Sequence, residues 1–159
     1  MNERSDKKAL FRRLETEIDE ILRSSRPYEE VLQAVCDLLK ESVPHYDWVG
    51  FYFVDPKNGN ELVLDPFSGE PTEHVRIKFG EGICGQAAET RNIFVVQDVS
   101  KENNYLSCSP EVRSEIVVPI FKDGEIVGEL DIDSHRINPF TDEDREFLEK
   151  ICEMISEVL

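Results

Sequence analysis

The stretch Arg113-Ser-Glu-Ile-Val-Val-Pro-Ile-Phe-Lys-Asp-Gly-Glu-Ile-Val-Gly-Glu-Leu-Asp-Ile-Asp133 reads as a β-hairpin that turns at Lys122–Gly124. β-Branched and aliphatic residues recur at every second position on both arms, and Asp-Gly is a tight-turn signal. The register of the hairpin decides which side chains meet. A two-residue Asp123-Gly124 turn pairs Lys122 with Glu125 and puts Ile116, Val118 and Ile120 on the face of Glu129 and Asp131. A three-residue loop, Lys122 to Gly124, pairs Phe121 with Glu125. Then Ile116, Val118, Ile120, Ile126, Leu130 and Ile132 share one apolar face. The second register keeps the core together and is the expected one. It sets Glu115 opposite Asp131, with Asp133 two residues along.

Three carboxyl groups, Glu115, Asp131 and Asp133, therefore converge on one side of the sheet. In so acidic a chain the plain alternative is a solvated face. Like charges directly opposite on paired strands are destabilising, however. Their presence points to a cationic partner: the amine of a small ligand, a metal, or a shared proton. A hard metal with oxygen ligands stays open, although no matching loop of ligands is evident.

Immediately upstream, Tyr105-Leu-Ser-Cys108-Ser-Pro-Glu-Val-Arg113 places a cysteine before a helix-start signal. Ser109 suits an N-cap, Pro110 the first helical position and Glu111 the first turn. A thiol there, with Arg113 about a turn further on, sits where a thiolate is stabilised. A second cysteine follows a glycine turn in Gly80-Glu-Gly-Ile-Cys84-Gly85. Its G-x-G-x-x-G spacing matches the dinucleotide fingerprint on the surface. The helix that follows has room for only about two turns before Asn92, too short for a βαβ crossover. The segment reads as a tight turn that delivers Cys84.

Working outward, Asp47–Val54 is a strand with Trp48, Gly50 and Tyr52 on one face and Val49, Phe51 and Phe53 on the other. Lys57–Asn60 turns it into a returning strand, Glu61–Asp65, followed by a loop through Pro66–Pro71. Val75–Phe79 and Ile93–Val96 are short strands. Helical spacing marks residues 3–24, a helix opened by Pro27, and a last helix after a Thr141–Asp144 capping box. Helices at both ends around hairpin-linked strands give an α+β fold with a mainly antiparallel sheet.

At 159 residues and a formal charge of −16, the chain suits neither nucleic acid nor anionic membranes, both of which require basic patches. No apolar run spans a bilayer and the N-terminus lacks a signal-peptide core, so a cytoplasmic location is expected. There the four cysteines at 36, 84, 108 and 152 are buried thiols or redox groups rather than structural disulfides. Cys36 and Cys152 fall inside helices as core residues. His74, Cys84 and Cys108 match no common zinc spacing, and no metal site is expected.

The end helices, the Gly-x-Gly turn and Arg113–Pro119 before Gly124-Glu-Ile-Val-Gly128 resemble a GAF domain. The resemblance implies a PAS-like central antiparallel sheet flanked by N- and C-terminal helices, with a helical extension at 1–26 and the GAF domain at 27–159. Asp47-Trp-Val-Gly-Phe-Tyr52, Leu62-Val-Leu-Asp-Pro-Phe-Ser-Gly-Glu-Pro71, Gly82-Ile-Cys-Gly85, Cys108 before Glu115, and Asp131-Ile-Asp133 are similar to the free methionine-(R)-sulfoxide reductase branch. That likeness implies Cys108 as catalytic thiol, Cys84 as resolving thiol and Glu115 as a catalytic carboxyl group. It further implies Asp131 and Asp133 on the substrate's polar groups, and Trp48 and Tyr52 walling its methyl-sulfoxide end. No cofactor is implied beyond an external thioredoxin-type reductant, and a homodimer is expected. His74 stands where many members carry a further cysteine. The alternative is a non-catalytic sensory GAF domain that binds a small ligand.

Overall fold

The computed structural model describes residues 3–106 and 109–159. Four helices, α1 (Glu3–Leu22), α2 (Tyr28–Ser42), α3 (Gly82–Thr90) and α4 (Asp142–Val158), accompany six strands. These are β1 (Trp48–Val54), β2 (Glu61–Ser68), β3 (Arg76–Lys78), β4 (Phe94–Val96), β5 (Ser114–Lys122) and β6 (Glu125–Ser134). They form one sheet in the order β3-β2-β1-β6-β5-β4 with every pairing antiparallel. The architecture is the α+β sheet expected from the sequence. No helix among the described residues is long and apolar enough to cross a membrane.

Strand alternation divides the molecule into two layers. Val49 and Phe51 of β1, Ile116, Val118 and Ile120 of β5, and Leu130 and Ile132 of β6 face α1, α2 and α4 in the main core. Trp48, Tyr52 and Val117 face the other way, toward α3 and its Cys84, Ala87 and Ala88.

The helical layer is held by more than apolar contact. Phe11 of α1 stacks on Phe147 of α4 at 4.2 Å between ring centres. Lys7 Nζ reaches Asp144 Oδ2 at 2.6 Å, and Tyr46 Oη donates to Asp144 Oδ1 at 2.9 Å. His45 Nε2 lies 2.5 Å from the same Oδ1. Asp144 also closes the capping box, accepting from the Thr141 N–H at 2.8 Å. Burial alone would raise the pKa of Asp144. The His45 hydrogen bond and charge, together with Lys7, outweigh it and hold this carboxyl well below the usual carboxylate range.

Three local expectations change. The hairpin turns on two residues, since Lys122 pairs with Glu125 and both Asp123 and Gly124 have positive φ (53° and 81°), the type I′ geometry that matches strand twist. Val127 is then left over as a bulge, because Ile120 pairs with Gly128 while Phe121 pairs with Ile126. The bulge returns Leu130 and Ile132 to the face of Ile116, Val118 and Ile120, but it turns Ile126 to the opposite side and Val127 to the core, and it sets Glu115 opposite Asp133 and Val117 opposite Asp131. Second, β2 runs on through Pro66 to Ser68 rather than ending at Asp65, because a bulge between Gly50 and Tyr52 accommodates the proline. Third, no helix starts at Ser109. The Val112 N–H bonds to the Ser109 carbonyl at 3.2 Å in a single turn, and β5 begins at Ser114, too soon for a helix to propagate.

Candidate active site

The side of the sheet away from α2 and α4 carries the polar residues. From β6 come Glu129, Asp131 and Asp133, and from β1 their direct partners Tyr52, Gly50 and Trp48. Glu115 of β5 lies across from Asp133. Over this surface sits α3, entered through Gly82, with Cys84 on its first turn. The Cys84 thiol is 3.9 Å from Glu115 Oε2, and Cys84, Glu115 and Asp131 each offer an atom within 4.8 Å of the others. The structure thus brings together Cys84, Glu115, Asp131, Asp133, Trp48 and Tyr52, all picked out from the sequence.

Sequence reasoning passed over Glu129. The signal was present, since Glu129, Asp131 and Asp133 alternate along β6 and must share a face. Cys108 and Ser107 lie outside the described residues, so the pairing of Cys108 with Cys84 and its role as catalytic thiol do too. The turn at Ser109–Val112 replaces the helix N-terminus on which thiolate stabilisation by a helix dipole was expected.

The aromatic wall is built by close packing. Gly50 lets the Trp48 indole lie flat against the strand, where a Cβ would come 2.4 Å from Trp48 Cη2. The indole stacks on Phe67 at 5.6 Å and its Nε1 donates to the Glu70 carbonyl at 2.9 Å. Tyr52 Oη donates to the His74 carbonyl at 2.8 Å. Asn104 ties the approach to Cys108 onto the glycine turn: its Oδ1 accepts from the Gly82 N–H at 2.8 Å and its Nδ2 donates to the Gly80 carbonyl at 2.7 Å. A cavity of about 10 Å³ lies among Tyr52, His74, Cys84, Leu106, Glu115 and Asp131. A larger groove, about 420 Å³, runs between α4 and β5 beside Arg91, Phe121 and Cys152. It is on the apolar side of the sheet, where the Cys152 thiol is directed at the Val118 carbonyl at 3.7 Å. Size alone does not mark the chemistry.

Burial dominates the electrostatics. Glu129 is 0% and Asp131 and Asp133 are 1% exposed. Both oxygens of Glu129, both of Asp133 and Asp131 Oδ1 meet no hydrogen-bond partner among the described residues. Desolvation pushes the pKa of all three upward, and the charge of Asp131 adds to the rise at Glu129 and Asp133. Burial, then the charges of Asp131, Glu129 and Glu115, also raise the Cys84 thiol well above its ordinary value. Cys84 is accordingly ill-suited to be a standing thiolate, while the carboxyl groups beside it can hold and release protons.

These shifts carry a stability consequence. A carboxyl group with a raised folded pKa adds stability below the ordinary carboxylate range and loses it as the pH rises through the folded value. Glu129→Gln keeps the shape without the ionisation. Its stability advantage over the wild type should grow from about pH 5 to about pH 8, reaching at least about 1 kcal/mol in urea unfolding. A constant difference across that range would show that Glu129 ionises freely in the folded chain.

Residues 27–159 match the GAF domain family. The chain is 37% identical over 152 residues to GAF domain-containing protein A of Dictyostelium discoideum, covering 96% of this chain and 94% of that one. It is 30% identical over 154 residues to the free methionine-R-sulfoxide reductase of Escherichia coli strain K12, covering 97% and 91%. Among solved structures it is similar to free methionine-R-sulfoxide reductase from Neisseria meningitidis in complex with its substrate. There the TM-score is 0.90 at 37% identity, covering 96% of this chain and 89% of that one.

Proposed function

The chain belongs to the GAF domain family and, within it, to the family of the free methionine-R-sulfoxide reductases, and from that we propose that it reduces free methionine-R-sulfoxide to methionine with thiols. The observation that carries the reading is the buried set Glu115, Glu129, Asp131 and Asp133 beside Cys84, with five carboxylate oxygens lacking a hydrogen-bond partner among the described residues. Such a surface is costly to bury unless a cation or proton meets it. The ammonium of a free amino acid supplies that charge through Asp131 and Asp133. Trp48 and Tyr52 wall the apolar methyl-sulfoxide end.

The chemistry divides between two sulfurs. The Cys108 thiolate attacks the sulfoxide sulfur while a carboxyl group, Glu115 in this reading, gives a proton to the sulfoxide oxygen. Oxygen passes to Cys108 as a sulfenic acid and methionine leaves. The Cys84 sulfur then displaces that oxygen, closing a Cys84–Cys108 disulfide, and the Cys84 proton passes by way of the adjacent carboxylate to the departing hydroxyl, which leaves as water. An external thioredoxin-type dithiol reduces the disulfide and is itself oxidised. No metal or organic cofactor takes part, and the reducing cytoplasm is the compartment that fits. The homodimer expected for GAF relatives remains part of the proposal.

The test is incubation of the reduced chain with each epimer of free methionine sulfoxide and a dithiol, with methionine counted by chromatography. Methionine should form from the R epimer alone. A folded chain that turns over neither epimer, yet binds a small amine with change in its thermal midpoint, would instead be a sensory GAF domain.

A further inference from the structure

Cys84, Glu115 and Asp131 differ from the rest of the acidic surface in presenting one sulfur and two carboxylate oxygens to a common point. Their ligand atoms lie within 4.8 Å of one another. A tetrahedral zinc ion holds sulfur at about 2.3 Å and oxygen at about 2.0–2.2 Å, which sets neighbouring donors about 3.3–3.8 Å apart. The Cys84–Glu115 separation of 3.9 Å is already close to that spacing. The outer limit of 4.8 Å exceeds that spacing by about 1–1.5 Å. A second observation points to a cation at the same place. Glu129 is fully buried, both its oxygens lack a hydrogen-bond partner among the described residues, and it precedes Asp131 by one alternation on the same face of β6. Asp131 Oδ1 is in the same condition.

The donor set also selects the ion. Magnesium and calcium take oxygen donors and disfavour sulfur, whereas a thiolate with carboxylates suits borderline ions of the zinc class. Binding replaces the proton on Cys84 by the metal and releases that proton to solvent. Three protein ligands leave a fourth position open.

We propose that Cys84, Glu115 and Asp131 form a site for a zinc-class divalent cation that competes with the amino-acid substrate and switches the enzyme off. The competition, resting on the function proposed above, follows because the ion takes the carboxylates that would meet the substrate and locks the resolving thiol as a metal thiolate.

The metal site is tested without turnover by titrating Co²⁺ into the reduced, metal-free full chain. One equivalent should produce a thiolate-to-cobalt charge-transfer band, bleached when Zn²⁺ displaces the cobalt. The band should vanish in Cys84→Ser and persist in Cys108→Ser, with folding of each checked by circular dichroism. Glu115→Gln and Asp131→Asn should each weaken Co²⁺ binding by about tenfold or more, and these two decide the matter if Cys84→Ser does not fold. Absence of the band in the folded chain, its survival in Cys84→Ser, or wild-type Co²⁺ affinity in both carboxamide variants would overturn the site. In the reductase assay, stoichiometric Zn²⁺ should inhibit and excess methionine-R-sulfoxide should restore the rate. Inhibition that substrate cannot relieve would overturn the competition. No turnover even without metal would sink the reductase reading while the cobalt band still decides the site.

Discussion

Cys108→Ser should lower turnover of free methionine-R-sulfoxide by at least about 10⁴-fold, whereas Cys84→Ser should make one equivalent of methionine per chain and then stall. The two variants should separate because the proposed mechanism gives the two sulfurs different work. The sulfur that attacks the sulfoxide takes the oxygen, and a serine hydroxyl in its place is neither ionised nor nucleophilic enough to do so. Cys84 sits in surroundings that oppose its ionisation, with burial first and then the charges of Asp131, Glu129 and Glu115 holding its proton on. In the proposed mechanism it acts only once Cys108 has become an electrophilic sulfenic acid. Rapid-quench counting of methionine in the first turnover, with a sulfenic-acid trap added to Cys84→Ser, gives the readout. A Cys108→Ser chain that still turns over, or a Cys84→Ser chain with no first equivalent, would exchange or abolish the assigned roles.

The second large effect lies on the opposite side of the sheet. Asp144→Ala should destabilise the chain by roughly 3–5 kcal/mol, lowering the thermal midpoint by about 10 °C for a domain of this size. Asp144 is fully buried and answers three groups at once: Lys7 at 2.6 Å, His45 at 2.5 Å and Tyr46 at 2.9 Å. Removing it strands the Lys7 ammonium, itself 7% exposed, without its counter-charge. Lys7→Met, which keeps the stem and discards the charge, should cost much less. Because the folded pKa of Asp144 is depressed, its contribution is present above the ordinary carboxylate range and fades as the pH falls below it. The gap between wild type and Asp144→Ala should therefore narrow in acid. Calorimetric melts across pH measure both effects, and a loss under about 1 kcal/mol, the value of a surface pair, would mean the cluster relaxes around the missing carboxylate.

What could be read from the chain alone follows the strength of each local signal. The two faces of β1 and β6 were legible because the alternation of Trp48, Gly50 and Tyr52 and of Glu129, Asp131 and Asp133 needs no knowledge of the partner strand. The pairing was not. The two-residue turn and the bulged residue Val127 each shift the register by one, and together they move Glu115 from Asp131 to Asp133 while Ile116, Val118, Ile120, Leu130 and Ile132 stay on one face, so hydrophobic pattern could not distinguish the two registers. Pro119 illustrates the same dependence on neighbours. It is tolerated in β5 because β4 pairs only with Glu115, Ile116 and Val117, leaving the proline's missing N–H on an unpaired edge. At Ser109 the capping signal was real, since its hydroxyl accepts from the Glu111 N–H at 3.3 Å, but the nearby start of β5 left no length for a helix. Burial of the acid residues was invisible for another reason. It depends on α3 folding over them, a contact between segments some thirty residues apart.

The packing of Trp48 gives the protein a built-in optical gauge. It is the sole tryptophan in the chain, clamped against Phe67 and seated across from Asp133, while the helical layer behind the sheet contains no indole. Emission excited in the tryptophan band thus originates from a single place, next to the acid-lined surface. Ligand occupancy and proton uptake there can be followed by fluorescence on the unlabelled wild-type chain, with no background from the rest of the fold.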